Sequence, residues 1–217
     1  SGCDNTCGST LEFDCAGVCG GSAIEDECRI CNGNGDCGDM VYSSSPVNLE
    51  IKNVDTNAGT LDIYMTNEEG CSYCSNIVYG TSASCASTGN DWIFTSGMSQ
   101  DSCDVQSGQY FNGEVGGFQF ELSGVTISDA SAPSGFMTST SGTTVLAFSL
   151  SGATINPGSG LLTTVNFSNS DGTDICFGED TGSAGATTIS DAFGGYIEAD
   201  WGGCYCIDES SDLGCGC

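Results

Sequence analysis

The chain contains no histidine, which removes Ser-His-Asp and Cys-His catalysis, imidazole ligation of metals and the commonest general base. Basic residues are almost as scarce. Arg29 and Lys52 stand against 29 Asp and Glu, giving a formal net charge of -27 over 217 residues. A polyanion with two cations cannot release counterions from phosphates, so nucleic acid and anionic membrane surfaces are excluded as partners. No apolar run approaches the roughly 20 residues that cross a bilayer as a helix, and membrane insertion is not expected. The N-terminus has no basic segment followed by an apolar one and reads as mature, processed material. No apolar stripe repeats every 3.6 residues, so helix content should be small.

Cysteine, by contrast, is abundant. Cys3, Cys7, Cys15, Cys19, Cys28, Cys31 and Cys37 fall in an N-terminal unit, and Cys71, Cys74, Cys85, Cys103, Cys176, Cys204, Cys206, Cys215 and Cys217 follow it. Sixteen cysteines at this density fit a disulfide framework formed in an oxidising compartment, hence an extracellular or cell-surface protein. Cross-links would also offset the self-repulsion of so acidic a chain. Cys28-x-x-Cys31 and Cys71-x-x-Cys74 have zinc-ligand spacing, but without histidine and in that compartment the disulfide reading outweighs zinc. Seven cysteines before the boundary and nine after it require an odd number of bridges between the parts if all pair internally. The alternative is that a cysteine from each part stays free or pairs with another molecule.

Three regions follow. Residues 1–42 hold few large apolar side chains and form a disulfide-stapled arm of low secondary structure, in which an acidic residue, a close cysteine pair and a following glycine occur twice, at Asp14-Cys15-Ala16-Gly17-Val18-Cys19-Gly20 and Glu27-Cys28-Arg29-Ile30-Cys31-Asn32-Gly33. Residues 43–203 carry the strand signals, and 204–217 form a short cysteine-rich tail. From Val47 the pattern switches to period two. Leu49 and Ile51 alternate with polar neighbours, as do Leu61, Ile63 and Met65, with a turn-rich stretch between them that makes a hairpin. Further strands are expected over 92–95, 117–122, 143–150, 161–167 and 196–199, while Cys71, Cys74, Cys85 and Cys103 fall in a long irregular region between strands. Leu161, Val165 and Phe167 should share one face. The sum is an all-β fold, an antiparallel β-sandwich or jelly roll.

Few side chains suggest chemistry. Asn32, Asn34 and Asp36, with Asp39 behind, set oxygen atoms at alternate positions of a glycine-rich loop and are candidate calcium ligands, although Asn-Gly is also a turn signal. Asp171 and Asp174 around Gly172 offer a smaller version. Asn166-Phe167-Ser168 is a glycosylation sequon whose asparagine should face outward. Trp92, Trp201, Tyr196 and Tyr205 are candidates for stacking on carbohydrate, against an ordinary role as core or loop anchors. A glycosidase needs only two carboxylates, and 29 acids make that signal uninformative, because acids on a secreted sandwich are ordinarily a solvated face. No catalytic residue, enzyme activity or required cofactor is expected.

The head, Ser1-Gly2-Cys3-Asp4-Asn5-Thr6-Cys7-Gly8-Ser9-Thr10-Leu11-Glu12 with Asp14-Cys15-Ala16-Gly17-Val18-Cys19-Gly20-Gly21, resembles a cysteine-rich repeat of very large secreted or surface proteins of aquatic bacteria. The stretches Gly116-Gly117-Phe118-Gln119-Phe120-Glu121-Leu122, Val145-Leu146-Ala147-Phe148-Ser149-Leu150 and Gly158-Ser159-Gly160-Leu161-Leu162-Thr163 are similar to the cohesin-like sandwich of such proteins. That resemblance covers about 47–200 and implies a jelly-roll fold with a binding or assembly role and no catalytic residues. The many cysteines depart from cellulosomal cohesins, so dockerin binding is not inherited. The leading expectation is an extracellular filament, sheath or surface-array subunit joined head to tail to copies of itself. A carbohydrate- or protein-binding module of a large adhesin or scaffold is the alternative.

Overall fold

Alternating apolar and polar residues commit the chain to strands from Val47 onward, and the polar turn 56–59 folds the first two onto each other. The computed structural model describes residues 3, 11, 18–22, 42–43, 45–168, 174–180 and 187–207. The strands among them are β1 (Tyr42–Ser43), β2 (Val47–Asp55), β3 (Thr60–Asn67), β4 (Gly70–Cys74), β5 (Trp92–Ser96), β6 (Gln109–Phe111) and β7 (Gly117–Glu121). They continue with β8 (Thr126–Ala130), β9 (Met137–Thr140), β10 (Thr144–Phe148), β11 (Gly158–Ser168), β12 (Thr188–Ser190), β13 (Tyr196–Ile197) and β14 (Ala199–Asp200). Two short helices, α1 (Ser82–Ser87) and α2 (Gln100–Val105), complete the set.

Two five-stranded sheets form an all-β sandwich. The first has the order β14-β2-β3-β11-β8 and the second β13-β12-β7-β10-β9. All pairings are antiparallel except β14 beside β2, which is parallel. The alternate positions Leu49, Leu61, Ile63 and Val165 of the first sheet face Phe118, Phe120, Val145 and Ile189 of the second, and none is more than 2% exposed. Each such side chain contributes about 1.5–3 kcal/mol on burial. Aromatic rings run through this core: Phe118 stacks on Phe120 at 6.0 Å, Phe120 meets Phe177 edge-on at 5.7 Å, and Phe177 tilts against Trp201 at 5.3 Å. One side of the sandwich is closed where the chain leaves β13 in the second sheet and enters β14 in the first, with Glu198 as the crossing residue. Ser45 Oγ donates to the Glu198 carbonyl there, at 2.7 Å.

Two expectations need correction. Leu161 does not share a face with Val165 and Phe167. A bulge between Leu161 and Thr163 sets Leu161 opposite the outward Tyr64, leaving it 54% exposed, and Leu162 takes the core position at 5%. The region that holds Cys71, Cys74, Cys85 and Cys103 is not irregular either, and the strand expected at 92–95 does form there as β5. It lies in a lobe with its own sheet, β1-β5-β4-β6, flanked by the two helices. Thr81 and Ser99 cap those helices by accepting from the amides of Ser84 and Ser102. Cys71–Cys103 and Cys74–Cys85 disulfides staple the lobe, and its small core is Cys71, Tyr73, Met98 and Cys103. Half of that core is cysteine, so no apolar alternation marks it. Gly108 is fitted to it: a Cβ there would lie 2.5 Å from Cys71 Sγ.

Cys3–Cys19 and Cys176–Cys204 are also bridged, and Cys206 is disulfide-bonded. Tyr205 pairs with Ile175 through both backbone bonds, and Tyr205 and Ile207 pack against the main core.

Candidate functional site

The outer faces of the two sheets differ in kind. On the first, polar side chains satisfy one another around Tyr64 and the exposed Leu161. Asn53 Nδ2 and Thr164 Oγ1 donate to the two oxygens of Asp62 at 2.9 and 2.7 Å, and Thr66 Oγ1 donates to Ser159 Oγ at 2.9 Å. Lys52 pairs with Glu50 and sits 5.2 Å from the centre of the Tyr64 ring. A shallow hollow of about 300 Å³ lies among Asn48, Glu50, Tyr64, Thr66 and Asp200.

The second sheet presents apolar groups outward. Register places Tyr196, Ser190, Gly117, Phe148 and Met137 side by side in one row across all five strands. Their inward neighbours Ile197, Ile189, Phe118 and Ala147 are in the core, so this row faces away from it. The next row is Thr188, Gln119, Leu146 and Ser139. Tyr196 is 41% and Met137 47% exposed, and Leu146 and Phe148 are half-buried. Gly117 and Ser190 are the small members of the row; Gly117 is itself buried, and a Cβ on it would lie only 3.0 Å from Ser190 Oγ. Beyond Ser190 the turn to β13 is fixed by Asp191, whose Oδ1 accepts from the amides of Phe193 and Gly195 at 2.8 Å each. Phe193 is thereby displayed at 98% exposure.

At the Tyr196 end, Asp180 Oδ2 accepts from Trp201 Nε1 at 2.9 Å and from the Tyr196 hydroxyl at 3.2 Å. Burial and the Asp180 charge push the Tyr196 phenol far above its usual range. Burial likewise raises the Glu198 carboxyl; the nearby Trp92 indole lowers it again, and Asp180 adds to the rise. The Trp92 Nε1–H is buried and makes no regular hydrogen bond, so its effect on Glu198 is that of a nearby donor short of bonding geometry.

Of the side chains singled out in the sequence, Asn32, Asn34, Asp36, Asp39 and Asp171 lie outside the described residues. Asp174 is half-buried, and among the described residues no group of three or more His, Cys, Asp or Glu is placed to hold a metal ion. Asn166 is exposed on β11, opposite Thr60 and Asp129. Of the four aromatic candidates, Trp201 is a buried core residue, Trp92 and Tyr205 are half-buried, and Tyr196 alone is exposed. Sequence reasoning missed the Leu146, Phe148 and Met137 surface. The available signal was Val145-Leu146-Ala147-Phe148, a strand that is apolar at successive positions and therefore on both faces. Among the described residues no helix is long and apolar enough to cross a membrane.

No protein-family model and no curated protein matches the chain. Among solved structures, a chain of a cohesin–dockerin complex crystallised at pH 5.5 is similar, with a TM-score of 0.38 and 16% identity over 71% of this chain and 93% of that one.

Proposed function

We propose that this is an extracellular, non-catalytic recognition module that binds a protein partner through the outer face of the β13-β12-β7-β10-β9 sheet. One observation carries the reading: the second sheet gathers Phe148, Met137 and Leu146 on neighbouring positions of its outer face, whereas the first sheet sets its exposed Leu161 among polar groups that are paired with each other. An apolar centre on a rigid sheet is the usual energetic focus of a protein interface. The disulfides support an oxidising, extracellular setting. A carbohydrate ligand has less support, because Trp201 is committed to the core. Head-to-tail assembly was expected to use the cysteine-rich head and tail, which lie mostly outside the described residues.

The test is site-specific photo-crosslinking in the extracellular fraction of the source cells. Probes at Leu146 and Met137 should give a discrete protein adduct, and a probe at Asp62 on the opposite face should not. Adducts from Asp62 alone, or only adducts between copies of this chain, would refute the assignment.

A further inference from the structure

We infer that a disulfide joins the N-terminal arm to the C-terminal tail within one chain, so that the sandwich and its lobe lie inside a covalent loop. The mapped bridges force the count. Cys71–Cys103, Cys74–Cys85 and Cys176–Cys204 use six of the nine cysteines that follow the arm, and Cys3–Cys19 uses two of the seven within it. Cys206 is disulfide-bonded as well. Every other described cysteine is already taken, so its partner is one of those outside the described residues. Five arm cysteines remain, Cys7, Cys15, Cys28, Cys31 and Cys37, against three in the tail, Cys206, Cys215 and Cys217. Both numbers are odd. Full pairing therefore needs at least one bridge from arm to tail, and no cysteine of the lobe is left to supply it.

The fold decides between closure within the chain and a bond to a second copy. The first and last strands of the sandwich are neighbours: β14 runs beside β2 with Ala199 opposite Val47, and Ser45 Oγ donates to the Glu198 carbonyl at 2.7 Å. The arm joins the sandwich, and the tail leaves it, at this one edge. Cys37 precedes Ser45 by eight residues, a reach of at most about 30 Å. Cys206 is held against the sandwich, between Tyr205, which pairs with Ile175 through both backbone bonds, and Ile207, which packs on the core. Groups tethered over so short a span meet at an effective concentration on the order of millimolar, above what a second copy reaches in dilute solution. The bridge also constrains the unfolded chain. Cys37 and Cys206, the arm and tail cysteines closest in sequence, are 169 residues apart, and the entropy removed from the unfolded state grows with the length of the closed loop.

The experiment is mass spectrometry of the protein as isolated, with free thiols blocked by N-ethylmaleimide in denaturant at mildly acidic pH, where exchange is slow, and no reductant added. The undigested protein should have the mass of a single chain with no cysteine blocked. Trypsin can then cut only after Arg29 and Lys52, giving peptides 1–29, 30–52 and 53–217. Before reduction, 53–217 should remain attached to at least one of the two arm peptides, and reduction should release it. A second protease on the joined species should place the link between one of the five arm cysteines and one of the three in the tail. A 53–217 peptide that carries no arm peptide, or a blocked cysteine in each part, overturns the bridge. An undigested species of two or more chains that reduction splits overturns closure within one chain. Neither result bears on the recognition reading, because the outward row of the second sheet contains no cysteine.

Discussion

The side-chain amide of Asn67 donates to the carbonyl of Gly113, tying the point where the chain leaves the sandwich for the stapled lobe to the point where it returns. The same nitrogen donates to the Asn156 carbonyl at 3.0 Å, and Asn67 is 2% exposed. Loss of this donor strands buried carbonyls, at about 1–3 kcal/mol. Asn67→Ala should lower Tm by about 3–10 °C in calorimetry, at the few degrees per kcal/mol usual for a chain this long. Asn67→Asp should be worse at neutral pH, because a carboxylate cannot donate and faces carbonyl oxygens, and acid should partly rescue it. An aspartate variant as stable as the parent at neutral pH would show that the amide is not the tie.

The disulfides should open in an order set by access, since exchange needs a thiolate to reach sulfur. Cys204 is exposed and Cys176 half-buried, whereas Cys71, Cys74, Cys85 and Cys103 are all within 1% of fully buried. Graded reduction followed by alkylation and peptide mass mapping should label Cys176 and Cys204 while the lobe is still closed. Early labelling of Cys71 and Cys103 would mean that the lobe opens far more readily than its burial implies.

The sandwich was legible because its strands obey one rule: Leu49, Leu61, Ile63, Phe118, Phe120 and Val165 recur at alternate positions and all face inward. The lobe escaped that rule because Cys71 and Cys103 supply half its core, and a cysteine reads as a cross-link before it reads as an apolar residue. Leu161 misled for a related reason. A period-two pattern carries no mark of an inserted residue, so one bulge moved the inward position to Leu162. The candidate face was half legible: Leu146 and Phe148 stand in a visible strand, but only pairing to β9 and β12 brings Met137 and Tyr196 into the same row.

Phe193 should matter for association and not for folding. It is 98% exposed, and the turn beneath it is held by Asp191 accepting backbone amides, which substitution at 193 leaves in place. Phe193→Ser should change stability by less than about 0.5 kcal/mol. Phe120→Ala, in the core at 0% exposure, should cost about 3–5 kcal/mol. Comparable losses in chemical denaturation would show that the turn leans on Phe193.

The crossing at Glu198 makes a prediction about pH. Burial raises its carboxyl, the Trp92 indole N–H partly lowers it, and Asp180 raises it further, with a net upward displacement. In the unfolded chain the same group titrates near 4.3. The folded state therefore binds this proton more tightly, and the stabilisation is fully present below the unfolded value and lost as pH rises through the higher folded one. At neutral pH the ionised side chain is a burden on the fold, half-buried beside Asp180 and short of a regular bond from Trp92. Glu198→Gln should accordingly be more stable than the parent at neutral pH, and its advantage should shrink steadily as pH falls to about 4, in the carboxylate range. The comparison isolates one group, because the other acids titrate in both proteins and cancel in the difference. A Tm gap that stays constant from neutral to acid pH, or that widens on acidification, would show that the fold does not raise the Glu198 carboxyl.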